Sequence, residues 1–364
     1  MPMAFMFKKI LEKNKNFYQM RSICHELENS NEFQNIIQGP LWQKKVSRYP
    51  GKLLIPYNFY SDDIEINNPL GSHATTHSIC NLYFSFPTLP NATKLNNIFF
   101  LGSIKNKDIQ KFGNKKCLAS VVEQMAFLET EGLDIEMSDG ATFHVYFIPL
   151  LILGDNLGLN SILGFIKNFN GKFCRFCEID YQSSQKSCSA NPELRRDYGK
   201  YNSALEITDS KKTGIIEKCE FNKIPSFHVI DNISVDAMHD VLEGVCHYDM
   251  TNVILYLVTT KKYFSLEELN KRKRCFEYGE LEIGNFSPHI TKLHLEKKHL
   301  KMSAREMLTF VIYFPIMVGD FVPRDDEVWQ LVLTLIEIVD TILSFRVDAF
   351  MINSLESNIK RHNK

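Results

Sequence analysis

The stretch LLIPYNFYSDD, residues 53–63, decides how this chain is read. Residues 53–60 are apolar and β-prone, so they read as a strand. It ends on Asp62 and Asp63, and the turn sequence Asn67-Asn68-Pro69-Leu70-Gly71 follows. A carboxylate at a strand end can hold a divalent ion when a second carboxylate meets it in space. Its commoner use is to satisfy turn N–H groups.

Two further strand-like runs follow, at 79–86 and 95–104, with turn residues between them, so the three predict an antiparallel meander. Leu118, Val121, Val122, Met125 and Leu128 recur at helical spacing, and Gly132 ends that pattern. The longest apolar run, 141–153, closes on Leu153-Gly154-Asp155-Asn156. Asp155 therefore sits at the mouth of a sheet, where sites form, or caps the helix that follows. If the two strands are neighbours, Asp62 and Asp155 can share one metal. Strand, strand, strand, helix, strand is an order that an RNase H-like core accommodates.

Before this core, residues 1–50 are polar and weakly periodic. They read as one or two short helices and a linker, with Lys8, Lys9, Lys13 and Lys15 on a solvated face. After it, residues 168–235 carry Cys174-Arg-Phe-Cys177 in a polar stretch and read as an insertion with little regular structure. Residues 236–364 read as helical. The expected helices span 235–258 and 303–318, and a last one is capped by Asp325 or Asp326. Its apolar stripe runs through Val328, Leu331, Val332, Leu335, Val339 and Ile342. The expected class is α/β (mixed α+β), with 51–167 as the core.

Two thiolates spaced as Cys174 and Cys177 can grip one Zn²⁺, given a second pair of ligands. Asp236 and His239 are the best candidates by type. Cys188, Cys219, Cys246 and His247 are others. On a helix, Asp236, His239 and Asp240 share a face, although an Asp in the first turn also serves as a cap.

Lys and Arg total 42 against 43 Asp and Glu, a net charge of −1, which excludes a uniformly basic nucleic-acid binder. Between residues 261 and 305, however, eleven basic residues face six acidic ones. Lys271-Arg272-Lys273-Arg274 is the densest group and can meet phosphates, or can simply line a solvated helix face. Nine Cys at irregular spacing argue against a disulfide framework. The basic residues of MPMAFMFKKILEKNKN follow the apolar ones, the reverse of a signal peptide, and no run reads as a membrane span. The expectation is an intracellular, nuclear protein without a membrane partner. Neither GxGxxG nor GxxxxGK[ST] occurs, which weakens an unrelated nucleotide-using α/β enzyme.

Taken together, these segments resemble the catalytic region of CACTA (En/Spm-like) DNA transposases, in their animal and fungal branch. The resemblance rests on residues 61–71, 153–156, 173–177 and 236–245, on Lys301-Met302-Ser303-Ala304, and on residues 315–320, all in order. It implies an RNase H-like core with a CxxC-containing insertion and a helical C-terminal region. It also implies DNA cleavage and strand transfer by three acids and two Mg²⁺ or Mn²⁺ ions. Asp62, with Asp63 as the close alternative, takes the place of the first acid, and Asp155 the second. Cys174, Cys177, Asp236 and His239 fall on the family's motif residues. DNA, as transposon ends, and a homo-oligomer are the implied partners. The family's third acid is a Glu beyond the long helix, after a His-rich segment. Neither has a match here, since Glu337 and Glu356 sit in ordinary helical patterns. The resemblance thus predicts a truncated or domesticated derivative, inactive alone. The competing reading is a non-catalytic DNA- or protein-binding module that keeps the fold.

Overall fold

The computed structural model describes residues 1–66, 78–167, 171–187, 189–280 and 284–363. The chain divides into two compact units, Met1–Ser234 and Val235–Lys364.

The first unit is built on a mixed sheet of five strands: β1 Leu53–Glu65, β2 Ser78–Ser85, β3 Phe99–Lys105, β4 Leu133–Glu136 and β5 Thr142–Leu153. Their order is β3-β2-β1-β5-β4. β1, β2 and β3 form the expected antiparallel meander, and β5 runs parallel to β1. The short β4 was not foreseen. Four residues are too few for a periodic signal, and β4 exists as the antiparallel hairpin partner of β5. β5 is covered on both sides, which is why it reads as one apolar run. Val145 and Phe147 enter the main core, while Ile148 and Leu150 join a smaller cluster with Leu27, Ile37 and Trp42.

The N-terminal helices α1 Met3–Glu12, α2 Asn16–Glu28 and α3 Pro40–Val46 do more than lead into a linker. Met3, Phe7 and Leu11 recur along one face of α1 and are fully buried. Phe7 lies 4.6–5.0 Å, ring centre to ring centre, from Tyr57, Phe84, Phe86 and Phe147. Truncating such a ring costs about 3–5 kcal/mol. On α3, the buried Lys45 donates to the Ser226 carbonyl at 2.6 Å, and the Ser226 hydroxyl donates to the buried Glu129 at 2.9 Å. Burial pulls Lys45 down to about 8. Two helices, α4 Asn106–Cys117 and α5 Ala119–Thr130, join β3 to β4, and α6 Asn156–Ile162 follows β5.

The segment expected as an insertion is woven into this unit. It holds α7 Tyr181–Ser184, α8 Tyr198–Leu205 and α9 Ser210–Thr213. Tyr201, Ile215, Phe221, Phe227 and Val229 reach the main core. Its polar composition hid these anchors because they are spread among loops, where no period reveals them.

The second unit is helical: α10 Cys246–Leu255, α11 Leu266–Cys275, α12 Lys292–Glu296, α13 Ala304–Val318, α14 Glu327–Ile342 and α15 Ala349–His362. The helix expected from 235 begins instead as a wide π-helical segment, Met238–Val245, before tightening into α10. Asp326 caps α14 by accepting from Val328 N and Trp329 N. Ser303 and Glu306 form a capping box on α13. Val332, Leu335 and Val339 carry the α14 stripe into the core. α15 buries none of its residues and lies against α14. Among the described residues, no helix is long and apolar enough to cross a membrane.

Candidate functional site

β1 and β5 lie side by side in parallel, with Tyr60 opposite Leu153. Asp62 and Asp155 each follow two residues further on; Asp155 lies just past the end of β5, whereas β1 does not end at residue 60 as expected but runs on through Asp62 to Glu65, because β2 pairs with it there. Gly154 makes the side-by-side course of β1 and β5 possible. A Cβ there would fall 2.7 Å from the Ser61 carbonyl oxygen, so only glycine lets the two backbones approach this closely. Between them, Ser61 is 2% exposed, and its hydroxyl finds no hydrogen-bond partner among the described residues.

Asp62 and Asp63 are adjacent in an extended strand and therefore point to opposite faces. Opposite them on β2 stand Asn81 and Cys80. Asp63 accepts from Asn106 Nδ2 at 3.0 Å, and the same amide donates to Ser78 Oγ at 2.9 Å, so Asp63 is tied to the start of α4. Burial, with the Asp63 and Asp62 carboxylates behind it, pushes the Cys80 thiol up to about 12. Asp155 does what a residue before a helix does. Its Oδ1 accepts from Gly158 N and caps α6. A Cβ on Gly158 would lie 2.8 Å from that oxygen, so the cap also depends on a glycine. The turn residues 67–71 lie outside the described residues.

Cys174 and Cys177 sit on a knuckle paired with residues 194–196. Arg196 N donates to the Phe176 carbonyl at 2.9 Å, and Glu178 N to the Leu194 carbonyl at 2.8 Å. The Arg196 side chain, 2% exposed, locks the knuckle from beneath by donating to the carbonyls of Cys174 at 3.0 Å and Thr213 at 2.8 Å. Burial raises the Cys177 thiol, and the facing Cys174 adds to this. Nothing in the local sequence announces Arg196, because it reaches the motif only through folding.

Asp236 and His239 belong to the second unit, whereas the cysteine pair belongs to the first. His239 Nδ1 meets Asp236 Oδ2 at 2.5 Å, and Asp236 Oδ1 accepts from His239 N at 3.2 Å, which is the capping role. Glu243 lies 3.9 Å from His239 Nε2. Among the described residues, no group of three or more His, Cys, Asp or Glu side chains is placed to hold a metal ion. Cys219 and Cys246 are buried, and burial pushes both thiols up to about 12. His247 Nε2 accepts from Leu300 N at 2.9 Å. Cys188 lies outside the described residues. Glu337 and Glu356 pair with Arg361 and Lys360 on helix surfaces.

The basic group on α11 splits in two. Arg272 donates to Asp320 and to the Met317 carbonyl, and it stacks 3.9 Å over Phe321. Lys273 is buried and donates to the Pro288 carbonyl at 2.6 Å. Only Lys271 and Arg274 of the four are exposed, because a helix turns adjacent residues to different sides. The run of four is therefore not one phosphate-facing surface. No known protein-family profile matches the chain, and no curated protein matches it.

Proposed function

We propose that the chain is a transposase-derived protein with an RNase H-like core, in which Asp62 and Asp155 are the carboxylates turned to DNA-strand chemistry. The parallel pairing of Tyr60 with Leu153 carries this reading, because it sets the two acids at matching positions along neighbouring strands. The close approach at Gly154 supports it. Asp63, which accepts from Asn106, is the close alternative to Asp62.

Two carboxylates fit one hard ion, Mg²⁺ or Mn²⁺, which takes few protein oxygens and leaves places for water and phosphate. When bound, such an ion supplies charge neutralisation at phosphate and lowers the pKa of water. The chain's own part is to present Asp62 and Asp155 and to hold their spacing through β1, β5 and Gly154. A two-ion centre needs a third carboxylate, and among the described residues none joins the pair. The reading is therefore weak metal binding and DNA contact, without a completed cut. Cys174 and Cys177 supply two of the four donors that a structural Zn²⁺ takes. DNA is the partner, in the nucleus, with the chain acting as a homo-oligomer.

Mn²⁺ titration followed by electron paramagnetic resonance tests the pair. Wild type takes up Mn²⁺, and Asp62→Asn and Asp155→Asn each weaken uptake at least about tenfold. Uptake that neither substitution changes would sink the assignment. Cleavage of a terminal-repeat hairpin by the purified chain in Mn²⁺ would show that the centre is complete after all. A non-catalytic binding module is the second reading, favoured by the use of Asp155 as a helix cap. It expects DNA affinity that is indifferent to Mn²⁺ and to Asp62→Asn.

A further inference from the structure

The second unit holds a cavity of about 530 Å³ at the end of α11. One part of its wall is aromatic. Tyr278 packs on Phe276 and Phe286 with ring centres 4.9 and 4.8 Å apart, and Phe286 is 47% exposed. The rest is cationic and polar. Lys273, Arg274 and His289 line it, and among the described residues no carboxylate does. Lys273 is 6% exposed; it donates to the Pro288 carbonyl and lies 5.2 Å over the Phe310 ring, with the Glu306 carboxylate supporting its charge. Arg274, exposed, stands at the mouth.

An apolar aromatic wall wants a flat ring. A basic rim wants an anion. One small ligand that carries both is a nucleotide, its base on the rings and its phosphate on the cations. The volume falls in the range of ligand sites. We propose that this cavity binds one nucleotide unit, a base with its 5′-phosphate, supplied by single-stranded DNA or by a free mononucleotide. The inference stands on the cavity's lining alone and owes nothing to the carboxylate pair.

The test uses the full chain in EDTA, so that the carboxylate site is silent. Anisotropy of a labelled oligothymidylate and tyrosine quenching by dTMP are measured in parallel. Base stacking on an aromatic side chain contributes about 1–3 kcal/mol, so Phe286→Ala weakens binding roughly tenfold, whereas Phe286→Tyr keeps it. Arg274→Gln weakens it by a similar factor. Lys271→Gln, on the same helix but outside the cavity, changes it less than about twofold. Oligonucleotide binding tighter than dTMP binding, and lost with an abasic strand, names single-stranded DNA as the source. Equal binding of dTMP names the free nucleotide. No binding of either ligand overturns the proposal. So does an abasic strand bound as tightly as the intact one, or equal losses from Lys271→Gln and Arg274→Gln. All four variants change exposed residues, and unchanged circular dichroism confirms that each is folded.

Discussion

A methyl group on residue 154 would sit 2.7 Å from the Ser61 carbonyl oxygen, well inside any tolerable contact. That oxygen belongs to the backbone of a central strand and cannot swing away. Gly154→Ala must therefore push β5 from β1 beside both acids. Overpacking of this kind costs about 1–3 kcal/mol. A lowered urea midpoint with unchanged slope is the expected outcome, together with Mn²⁺ uptake reduced beyond what the stability loss explains. A midpoint equal to wild type would show that the approach is looser than the geometry states. Asp155 carries a capping role that Asp62 does not, so Asp155→Ala also removes a helix cap, worth about 0.5–2 kcal/mol. Asp155→Asn keeps an acceptor for Gly158 N, which is why it is the cleaner probe of charge.

At the scale of elements, α15 is an exception among the long helices. It buries no residue, and its attachment is polar. His362 Nε2 meets Asp249 Oδ2 on α10 at 2.7 Å, and Arg361 reaches Glu337 on α14 at 2.9 Å. The hydrogen bond to Asp249 raises the His362 pKa above its ordinary value against the opposing effect of burial. A raised histidine contributes stability that is fully present below its unfolded pKa, about 6.5, and that fades as pH rises through the folded value. Amide exchange in α15 should thus be slower at pH 5.5 than at pH 8.5, after correction for intrinsic rates, and Asp249→Asn should erase the difference. The same scale explains what could be read in advance. β1, β2, β3, α5 and β5 showed themselves because each presents a regular apolar pattern to one core. α14 announced its stripe and a cap at Asp325 or Asp326, of which the structure uses Asp326. The Phe7 anchor in α1 stayed hidden because the helix is short and lies within a polar, Asn- and Lys-rich N-terminal stretch. Arg196 beneath the cysteine knuckle escaped because its partners are carbonyls, which leave no trace in side-chain sequence. Asp155 was visible as an acid at a strand end, whereas Asp62 was expected at one and lies inside β1, which β2 extends to Glu65; their matched register depends on strand order, which no local motif encodes.

Across the whole molecule, a net charge of −1 conceals an uneven supply of available cations. Arg272 is committed to internal partners and Lys273 is buried against the cavity rather than on the helix surface, so the α11 run offers fewer phosphate contacts than its spelling promises. With roughly two contacts, single-strand affinity should fall less than about tenfold between 50 and 200 mM salt. A fall of a thousandfold would mean that a broader basic face is engaged. The first helix has a consequence of another kind, in the order of events during synthesis. Met3 N donates to Gln124, 121 residues away, and Phe7 needs Phe147 to complete its ring cluster. At about 5–20 residues per second, α1 waits many seconds after leaving the ribosome before its partners exist. Its greasy side has no home in that interval, so the nascent chain is a client for holding factors. A bulky fusion before Met1 would interfere with a late docking step rather than an early one.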